Sequence, residues 1–530
     1  MIYDVIVVGG GAAGLTASAF LAKSGYSTLL LEQAPYCGGL VNTFSRDGFT
    51  FDGGIRALDD AGALLPMLKK LGINLECLPN PITLGIEDRV IHVEADSNLH
   101  DYQALLGDLY PQSRADVAAI ISEIKQIMHY MEIQYGIDNP LFLDLKEDRD
   151  YFIKEVFPWM FKYLVTVGKL GARNRPVGEY LQSLTQNQSL VDIISQHFFT
   201  DTPAYFALSY FNLYRDYTYP RGGTGSFIHK LEDFILNCGG QIRTGAEVTS
   251  INPEKKEVQT GEGDAFGYRG LVWAADQKML YDRIDQAVLT RKKNRVAIRE
   301  QKARLTGMWG NESVLTVFLR SNLDVDYLGQ IASGHFFYTP SRAGQSRVGP
   351  APVSGSWNDV KSWLDRFFAY TTYEISIPAL RDSTLAPPGK AGLIISVLFD
   401  YHLTKTIADK GWDEPFRELV AERMIETLDR SIYPGLAASV IDRFSSTPLT
   451  IEKLTGNSYG AITGWSFSNQ PMPAENRLVR IANAVNTPLP DIYQAGQWTY
   501  SPSGLPISLI TGKLAADKIH KRVKPSRSTP

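Results

Sequence analysis

The chain has 530 residues, of which 44% are hydrophobic and 21% charged, with a formal net charge of −4. These values predict a globular protein of two domains with a large shared core, and they give no support for nucleic-acid binding. Three scattered cysteines and eight histidines without HxxxH or HExxH spacing predict neither a disulfide framework nor a metal site.

The apolar N-terminus is expected to be a buried strand and not a signal peptide. It lacks a basic n-region, contains Asp4 and is interrupted by glycines at 9–11. A run of about 18 uncharged apolar residues is absent from the sequence, so no membrane span is expected. The low cysteine content favours a reducing compartment. We therefore expect a cytoplasmic protein, with peripheral membrane contact as an open alternative.

A glycine loop follows the first predicted strand. The β-branched run at 3–8 predicts a strand buried on both faces, and Gly9, Gly11 and Gly14 form a GxGxxG pattern directly after it. Gly9 allows a tight turn, Gly11 lets a pyrophosphate approach the backbone, and Gly14 lets a helix pack closely on the strand. This pattern predicts a dinucleotide-binding loop.

The residues after the loop complete a βαβ unit. A helix at 12–24 would offer its N-terminal amides to phosphate groups, and a second strand is predicted at 27–31. Glu32 ends this strand 18 residues after Gly14, where a carboxylate can accept hydrogen bonds from ribose hydroxyls. Glu32 also disfavours a 2′-phosphate, because two negative charges would meet there.

Two aromatic stretches in the middle of the chain each allow two interpretations. The stretch 203–220 contains Tyr205, Phe206, Tyr210, Phe211, Tyr214, Tyr217 and Tyr219. It predicts either an apolar tunnel for a lipid or an ordinary helical core. The stretch 157–170 has Lys162 and Lys169 beside an apolar face, so a core or lid helix is favoured over one that rests on a membrane.

The later elements follow in order. Gly222 and Gly223 precede a predicted amphipathic helix, and a short buried strand is expected at 271–276. Strands are also predicted at 312–324 and 392–402, and an amphipathic helix at 416–436. Near the C-terminus, 493–519 predicts a strand end, a glycine- and proline-rich turn and a helix.

Blocks along the whole chain resemble one family. They are VVGGGAAGL, LLLEQ, GGLVNTFSRDGFTFDGG, YPRGGTGSFIHKL, GGQIRTGAEVTSI, VWAAD, TPLTIEKLTGNSYGAITGW and YQAGQWTYSPSGLPISLITGKLAADKI. Together they resemble the FAD-dependent phytoene desaturase and carotenoid isomerase group, within the flavin-containing amine oxidoreductase superfamily. The resemblance implies an α/β fold in which a Rossmann-like FAD-binding domain of the glutathione-reductase type adjoins a substrate domain of mixed sheet and helices.

The resemblance also implies domain boundaries and cofactor contacts. The FAD-binding domain would comprise 1–75, 220–290 and 480–522, the substrate domain 76–219 and 291–479, and 523–530 would be a flexible tail. The cofactor-binding residues would be Gly9, Gly11, Ala13, Gly14, Glu32, Gln33, Gly38, Gly39, Leu40, Gly54, Ile55, Val248, Gly496, Gln497, Leu505, Pro506 and Ile507. Two positions depart from the family pattern: Leu40 stands where Arg is frequent, and Gln497 stands where Asp is frequent.

The implied function is oxidation or reduction of carbon–carbon bonds in an apolar isoprenoid or polyene-like substrate by hydride transfer with flavin N5. Desaturation, saturation and isomerisation remain open, and Arg56 and Tyr500 are the candidate catalytic residues. The chain has no second dinucleotide fingerprint, so a quinone, O₂ or another diffusible carrier is the expected electron partner. The alternatives are an amine oxidase-like enzyme that oxidises C–N bonds and a flavin-free protein that escorts prenyl lipids.

Overall fold

The computed structural model describes residues 1–93, 98–144 and 146–526. The strands are β1 (Ile2–Val8), β2 (Thr28–Leu31), β3 (Thr43–Arg46), β4 (Phe49–Asp52), β5 (Cys77–Pro79), β6 (Ile82–Ile86), β7 (Arg89–Val93), β8 (Thr218–Pro220), β9 (Gln241–Arg243), β10 (Val248–Asn252), β11 (Glu257–Thr260), β12 (Ala265–Trp273), β13 (Ser313–Ser321), β14 (His335–Thr339), β15 (Tyr373–Ser376), β16 (Ala391–Phe399), β17 (Val440–Ser446) and β18 (Ile492–Gln494).

The α-helices are α1 (Ala12–Lys23), α2 (Leu64–Leu71), α3 (Asn98–Leu109), α4 (Arg114–Tyr135), α5 (Arg149–Tyr151), α6 (Phe157–Gly171), α7 (Val177–Gln182), α8 (Gln188–Ser195), α9 (Ala204–Ala207), α10 (Tyr210–Arg215), α11 (Gly225–Asn237), α12 (Gln277–Arg283), α13 (Lys292–Leu305), α14 (Val325–Ile331), α15 (Trp357–Tyr370), α16 (Tyr401–Asp409), α17 (Asp413–Ser431), α18 (Leu436–Ser439), α19 (Pro448–Thr455), α20 (Ile481–Ala484) and α21 (Leu505–Arg522).

The first sheet is built from three separate segments of the chain. Its order is β10–β11–β12–β1–β2–β9, and β18 pairs with the C-terminal part of β12. β18, β12, β1, β2 and β9 are mutually parallel, so their carboxyl ends meet at one edge. In β1, Val5 and Val7 face a core shared with α1, α11 and α21, while Ile6 and Val8 face a core on the other side. Burial on both faces explains the continuous apolar run.

The second sheet is mixed and has the order β17–β13–β16–β15–β14–β6–β7. Its strands pair antiparallel except for the parallel pair β14 and β6. Alternate residues of its strands, such as Leu315 and Ile395, pack in a core with α15 and α17. Because side chains alternate along a strand, the intervening residues Thr316 and Ser396 face the opposite side, where they line a cavity.

Most sequence-predicted elements are confirmed. The βαβ unit is β1–α1–β2, the strands predicted at 312–324 and 392–402 are the neighbours β13 and β16, and the helix predicted at 416–436 is α17. The predicted α/β fold class is therefore correct.

The predicted domain boundaries stay a prediction. Strands of the first sheet lie within 1–75, 220–290 and 480–522 as expected, but Ile298, Leu305 and Trp465 also pack in the core of that sheet.

The chain end also differs from the prediction. Val523 is buried, and both the N–H and the hydroxyl of Ser526 donate to Asp4 at 2.9 and 2.8 Å, so 523–526 are held on the first domain. The rest of the predicted tail, 527–530, lies outside the described residues. Among the described residues, no helix has the length and apolar character to cross a membrane.

Candidate cofactor and substrate site

The glycine loop after β1 has the geometry that a pyrophosphate site requires. Gly9 has a φ of +104°, and a Cβ there would lie 2.6 Å from the Ala274 carbonyl oxygen. A Cβ at Gly14 would lie 1.9 Å from the Gly9 carbonyl oxygen, which explains the close contact of helix and strand. At Gly11, by contrast, an added Cβ would meet none of the described residues within 4 Å. The backbone at Gly11 therefore faces open space.

A second glycine loop lies beside the first. The Gly38 N–H donates to the Gly10 carbonyl oxygen at 2.8 Å, and Gly38 forms an isolated bridge with Gly11. Gly39 has a φ of +57°, which favours glycine, and a Cβ there would lie 3.6 Å from the Gly11 Cα. Leu40 follows, and its carbonyl oxygen accepts from the Ile55 N–H at 3.0 Å. The two loops thus form one concave backbone surface.

Glu32 stands at the end of β2 beside this surface. Its Oε2 accepts from the Gly10 N–H at 2.6 Å and its Oε1 from the Ala34 N–H at 2.8 Å. Burial raises the pKa of Glu32, and these backbone N–H groups oppose the shift. Each oxygen keeps a second acceptor position, which is what binding to a ribose diol requires.

The C-terminal turn meets the first loop from the other side. A Cβ at Gly496 would lie 3.4 Å from the Ala13 Cβ, and the Gly496 N–H donates to the Thr511 hydroxyl at 2.9 Å. α21 packs directly on α1, since a Cβ at Gly512 would lie 2.4 Å from the Ala13 carbonyl oxygen. The predicted cofactor residues at the two ends of the chain are therefore neighbours in space.

The remaining predicted cofactor residues lie on the same edge of the first sheet or at the cavity described next. Gln33 is exposed next to Gly456, and Gln497 is partly buried beside Gly464. Val248 is buried at the start of β10, two residues after Ala246, whose N–H donates to the Glu32 carbonyl oxygen at 2.8 Å. Gly54, Ile55, Leu505, Pro506 and Ile507 line the cavity.

A cavity of about 540 Å³ lies between the 53–61 segment and the start of α21, the mixed sheet and the helices of the intervening segment. Its walls are largely apolar and aromatic. Of the aromatic stretch 203–220, Phe206, Tyr210, Tyr214 and Tyr217 line the cavity, whereas Tyr205 and Phe211 pack in a helical core. The stretch therefore contributes both to a cavity wall and to a helical core, and a lipid as the occupant of the cavity stays a prediction.

Arg56 lies in the wall of this cavity with its guanidinium held by the protein. Its Nη1 donates to the carbonyl oxygens of Asp52, at 2.8 Å, and of Gly54, and its Nη2 donates to Ser396 Oγ at 3.1 Å. Arg56 is 5% exposed. Its hydrogen bonds fix the Gly53–Gly54 turn to β16, so its evident role is to position that turn.

Tyr500 is the second candidate catalytic residue. It is buried in the first-domain core, and its hydroxyl donates to the Asn476 carbonyl oxygen at 3.3 Å. Tyr500 is not one of the described residues that line the cavity.

Asp59 is a cavity residue that the sequence reasoning missed. Within the described part of the chain, its buried Oδ1 accepts no hydrogen bond. Burial, together with the nearby carboxylates of Asp60 and Asp216, raises the pKa of Asp59 to about 7. The local signal in the sequence is the acidic pair Asp59–Asp60, which follows Gly53–Gly54 after four residues.

Glu374 and His335 form a second polar group that was missed. His335 Nε2 lies 2.9 Å from Glu374 Oε1, and the His335 ring stacks on Tyr217 at a 12° angle. Burial lowers the pKa of His335, while the His335 contact holds the pKa of Glu374 below its usual value against the opposing effect of burial. A single Glu within the apolar strand β15 is the signal that points to it.

Comparison with known proteins agrees with this geometry. A profile of NAD(P)-binding Rossmann-like domains matches residues 7–71. The chain is 23% identical to the chloroplastic prolycopene isomerase of Daucus carota, over 98% of this chain and 80% of that one. It is 22% identical to a 4,4'-diapophytoene desaturase of Staphylococcus aureus, strain bovine RF122 / ET3-1, over 98% and 99%.

Among solved structures, cyclohexylamine oxidase from Brevibacterium oxydans IH-35A superposes with a TM-score of 0.59 at 14% identity, covering 98% of this chain and 99% of that one. The chain is thus similar over nearly its full length to a prolycopene isomerase and a diapophytoene desaturase. These relatives are named for an isomerase and a desaturase activity and the solved structure for an amine oxidase, in agreement with the predicted oxidoreductase class. Because these relatives are enzymes, the cavity beside the glycine loops is the candidate active site.

Proposed function

We propose that the chain is an FAD-dependent oxidoreductase that acts on carbon–carbon bonds of an apolar, polyene-like or isoprenoid substrate. The observation that supports this best is the position of the largely apolar cavity. It extends from Gly53–Gly54 and the first turn of α21, beside the glycine loops, to the aromatic side chains of α10. A long apolar substrate would therefore lie with one end beside the cofactor.

The two glycine loops and Glu32 fit a dinucleotide, because they present open backbone and a carboxylate with spare acceptor positions. In the described structure no side chain caps the N-terminus of α1, so its first amides are available to a phosphate. FAD is preferred to NAD because the C-terminal turn adds a second wall beyond the pyrophosphate loop. When bound, the flavin would supply hydride exchange at N5.

The chain's own contributions are positioning and electrostatics. α21 begins at Leu505 with Pro506 in its first turn, and Gly504 to Ile507 line the cavity. The positive end of this helix dipole would stabilise negative charge that develops on a reduced cofactor. The apolar and aromatic walls would exclude water from the reacting bond. A quinone, O₂ or another diffusible carrier is the proposed electron partner.

The structure also supports a second proposal, that a lipid bilayer is the source of the substrate. One face of the 153–165 segment, here termed the α6 outer face, exposes large apolar side chains. These are Ile153, Phe157, Met160, Phe161, Leu164 and Val165, each between 42% and 67% exposed. On its inner side, Trp159 of the same helix lines the cavity. We propose that this face rests on a lipid bilayer, with Lys162 and Lys169 nearby to favour anionic lipids.

Flavin absorbance and a substrate screen test the proposed function. The purified protein should absorb near about 450 nm after addition of FAD, as flavoproteins in general do. Anaerobic polyenes or isoprenoids should then bleach this band, or reoxidise the reduced protein if the reaction runs as a saturation. Bleaching by amines but not by lipids would establish the amine oxidase alternative. A chain that binds no flavin but retains a prenyl lipid would establish the escort alternative.

A further inference from the structure

The cavity contains one carboxyl group whose surroundings suit proton exchange. Asp59 lies on the segment 53–61, much of which lines the cavity and which begins at the cofactor side with Gly53. Its neighbour Leu58 forms a backbone bridge with Thr218, which holds this segment against the turn that carries Tyr217. Asp59 is therefore fixed in the wall, three residues from Arg56, and no cation of the described residues is among the groups that shift its pKa.

The groups around Asp59 explain its ionisation. Burial in the wall favours the protonated form of Asp59, and so do the nearby carboxylates of Asp60 and Asp216. A hydrogen bond from the backbone N–H of Ala61 opposes them. The hydroxyls of Tyr135, Tyr210 and Tyr217 lie close enough for the Asp59 charge to raise the pKa of each. Near neutral pH both protonation states of Asp59 are populated, which is the condition for efficient general acid–base catalysis.

The other titratable groups of the cavity are less suited to this task. Glu374 is engaged by His335, which holds the pKa of its carboxyl low. Burial lowers the pKa of His197 to about 4, so it stays neutral near pH 7. The guanidinium of Arg56 is fixed by backbone carbonyls and Ser396.

We propose that Asp59 is the catalytic residue that exchanges a proton with the substrate. In desaturation, the Asp59 carboxylate would take a proton from one substrate carbon as the C=C bond forms, while the adjacent carbon would give up a hydride, with its electron pair, to a bound oxidised flavin. Asp59 would then release the proton to solvent, and a quinone-type acceptor would take the two electrons. Saturation would use the same groups in reverse, with Asp59 as the proton donor. This inference rests on the proposed function.

Kinetics of Asp59→Asn, measured on the FAD-loaded enzyme with an acyclic polyene, test this role. In the wild type the rate of desaturation should rise with pH through an apparent pKa near 7, while the rate of saturation should fall. Asp59→Asn should remove this transition and lower kcat by about 10²- to 10⁴-fold, the usual contribution of a general base. A variant that keeps the transition, or turns over within about threefold of the wild type, would overturn the proposal.

The matched control is Asp60→Asn. The Asp60 side chain accepts from the Leu65 N–H at 2.6 Å, and its charge raises the pKa of Asp59. This variant should therefore keep the pH transition but move it to lower pH. A loss of the transition in Asp60→Asn together with its retention in Asp59→Asn would assign the role to Asp60 and overturn the proposal.

Infrared spectroscopy separates this inference from the substrate proposal, because it needs no turnover. The intensity of the infrared band from the C=O stretch of a protonated carboxyl group should decrease as pH rises through about 7. Asp59→Asn should abolish that change. If the change persists in Asp59→Asn, the ionising group is another residue and the assignment fails. If Asp59 titrates as expected but no polyene reacts, the substrate class is wrong and the ionisation stands.

Discussion

At the scale of single residues, three glycines of the first loop have different physical reasons for being glycine. Gly9 and Gly14 are fixed by close contacts within the protein, whereas Gly11 faces open space. The GxGxxG spacing alone predicted these roles. A comparison of two substitutions can therefore separate the needs of the fold from the needs of the ligand.

Gly14→Ala should destabilise the protein, because its Cβ would lie 1.9 Å from the Gly9 carbonyl oxygen. Overpacking of this kind typically costs about 1–3 kcal/mol. Gly11→Ala should leave the thermal stability of the flavin-free chain unchanged but prevent flavin retention, because the methyl group would occupy the space left for the pyrophosphate. Thermal melts of both variants, with and without FAD, check this. Equal flavin retention by Gly11→Ala and the wild type would contradict it.

Asp59 should reduce stability in a pH-dependent manner. Its pKa is about 7 in the folded chain against 3.8 for an ordinary Asp. The folded state therefore binds more protons than the unfolded state between these values, so stability falls as pH rises from about 4 to about 7 and stays reduced above.

Asp59→Asn should remove that loss. The variant should melt about 1–4 °C above the wild type near pH 8, and the difference should shrink towards pH 4. Thermal melts across this range measure it, with Asp144→Asn as the control, because backbone hydrogen bonds lower the pKa of that exposed carboxyl. A difference that is independent of pH would contradict the account.

At the scale of elements, α6 shows that helical periodicity alone does not determine which face of a helix the rest of the protein covers. Its pattern was correctly read as a helix with an apolar face, but it has apolar residues on both sides. Trp159 and Tyr163 stack on the inner side at 5.0 Å, and Phe161 and Leu164 project outwards. Which side is covered depends on α4 and the cavity, which come from distant parts of the sequence.

Phe161→Gln combined with Leu164→Gln should weaken binding to vesicles without affecting the fold, since both side chains are more than 60% exposed. Co-sedimentation with phosphatidylcholine vesicles that contain about one-fifth phosphatidylglycerol measures this. Leu65→Gln, at a 55% exposed site on α2, is the matched control and should bind like the wild type. An equal loss of vesicle binding in the Leu65→Gln control, or no loss of binding in the double variant, would contradict a specific role of the α6 outer face.

At the scale of the whole molecule, the sequence predicted the dinucleotide edge better than the cavity. The residues of the dinucleotide-binding edge form a local sequence pattern, namely the strand, the glycines and Glu32 of one βαβ unit. The cavity is assembled from 53–61, α10, β14, β15 and α21, and no local pattern relates Asp59 to Glu374 or His335.

The assembly of the cofactor edge from distant segments leads to a final prediction about FAD itself. The loops at 9–14, 38–40 and 496–507 belong to three parts of the chain, and a bound FAD would contact all of them in the folded state only. A ligand that binds only the folded state at about 100 times its Kd adds about 2.7 kcal/mol to stability. FAD titrated into the flavin-free chain should therefore raise its melting temperature.

NAD at the same concentration is the control, because it has no flavin to occupy the space beside Gly504–Ile507, and it should raise the melting temperature less. An equal or larger shift with NAD would mean that the first loop alone carries the binding. In that case the C-terminal turn that carries Gln497 would be a structural contact between α21 and α1 and not a part of the cofactor site.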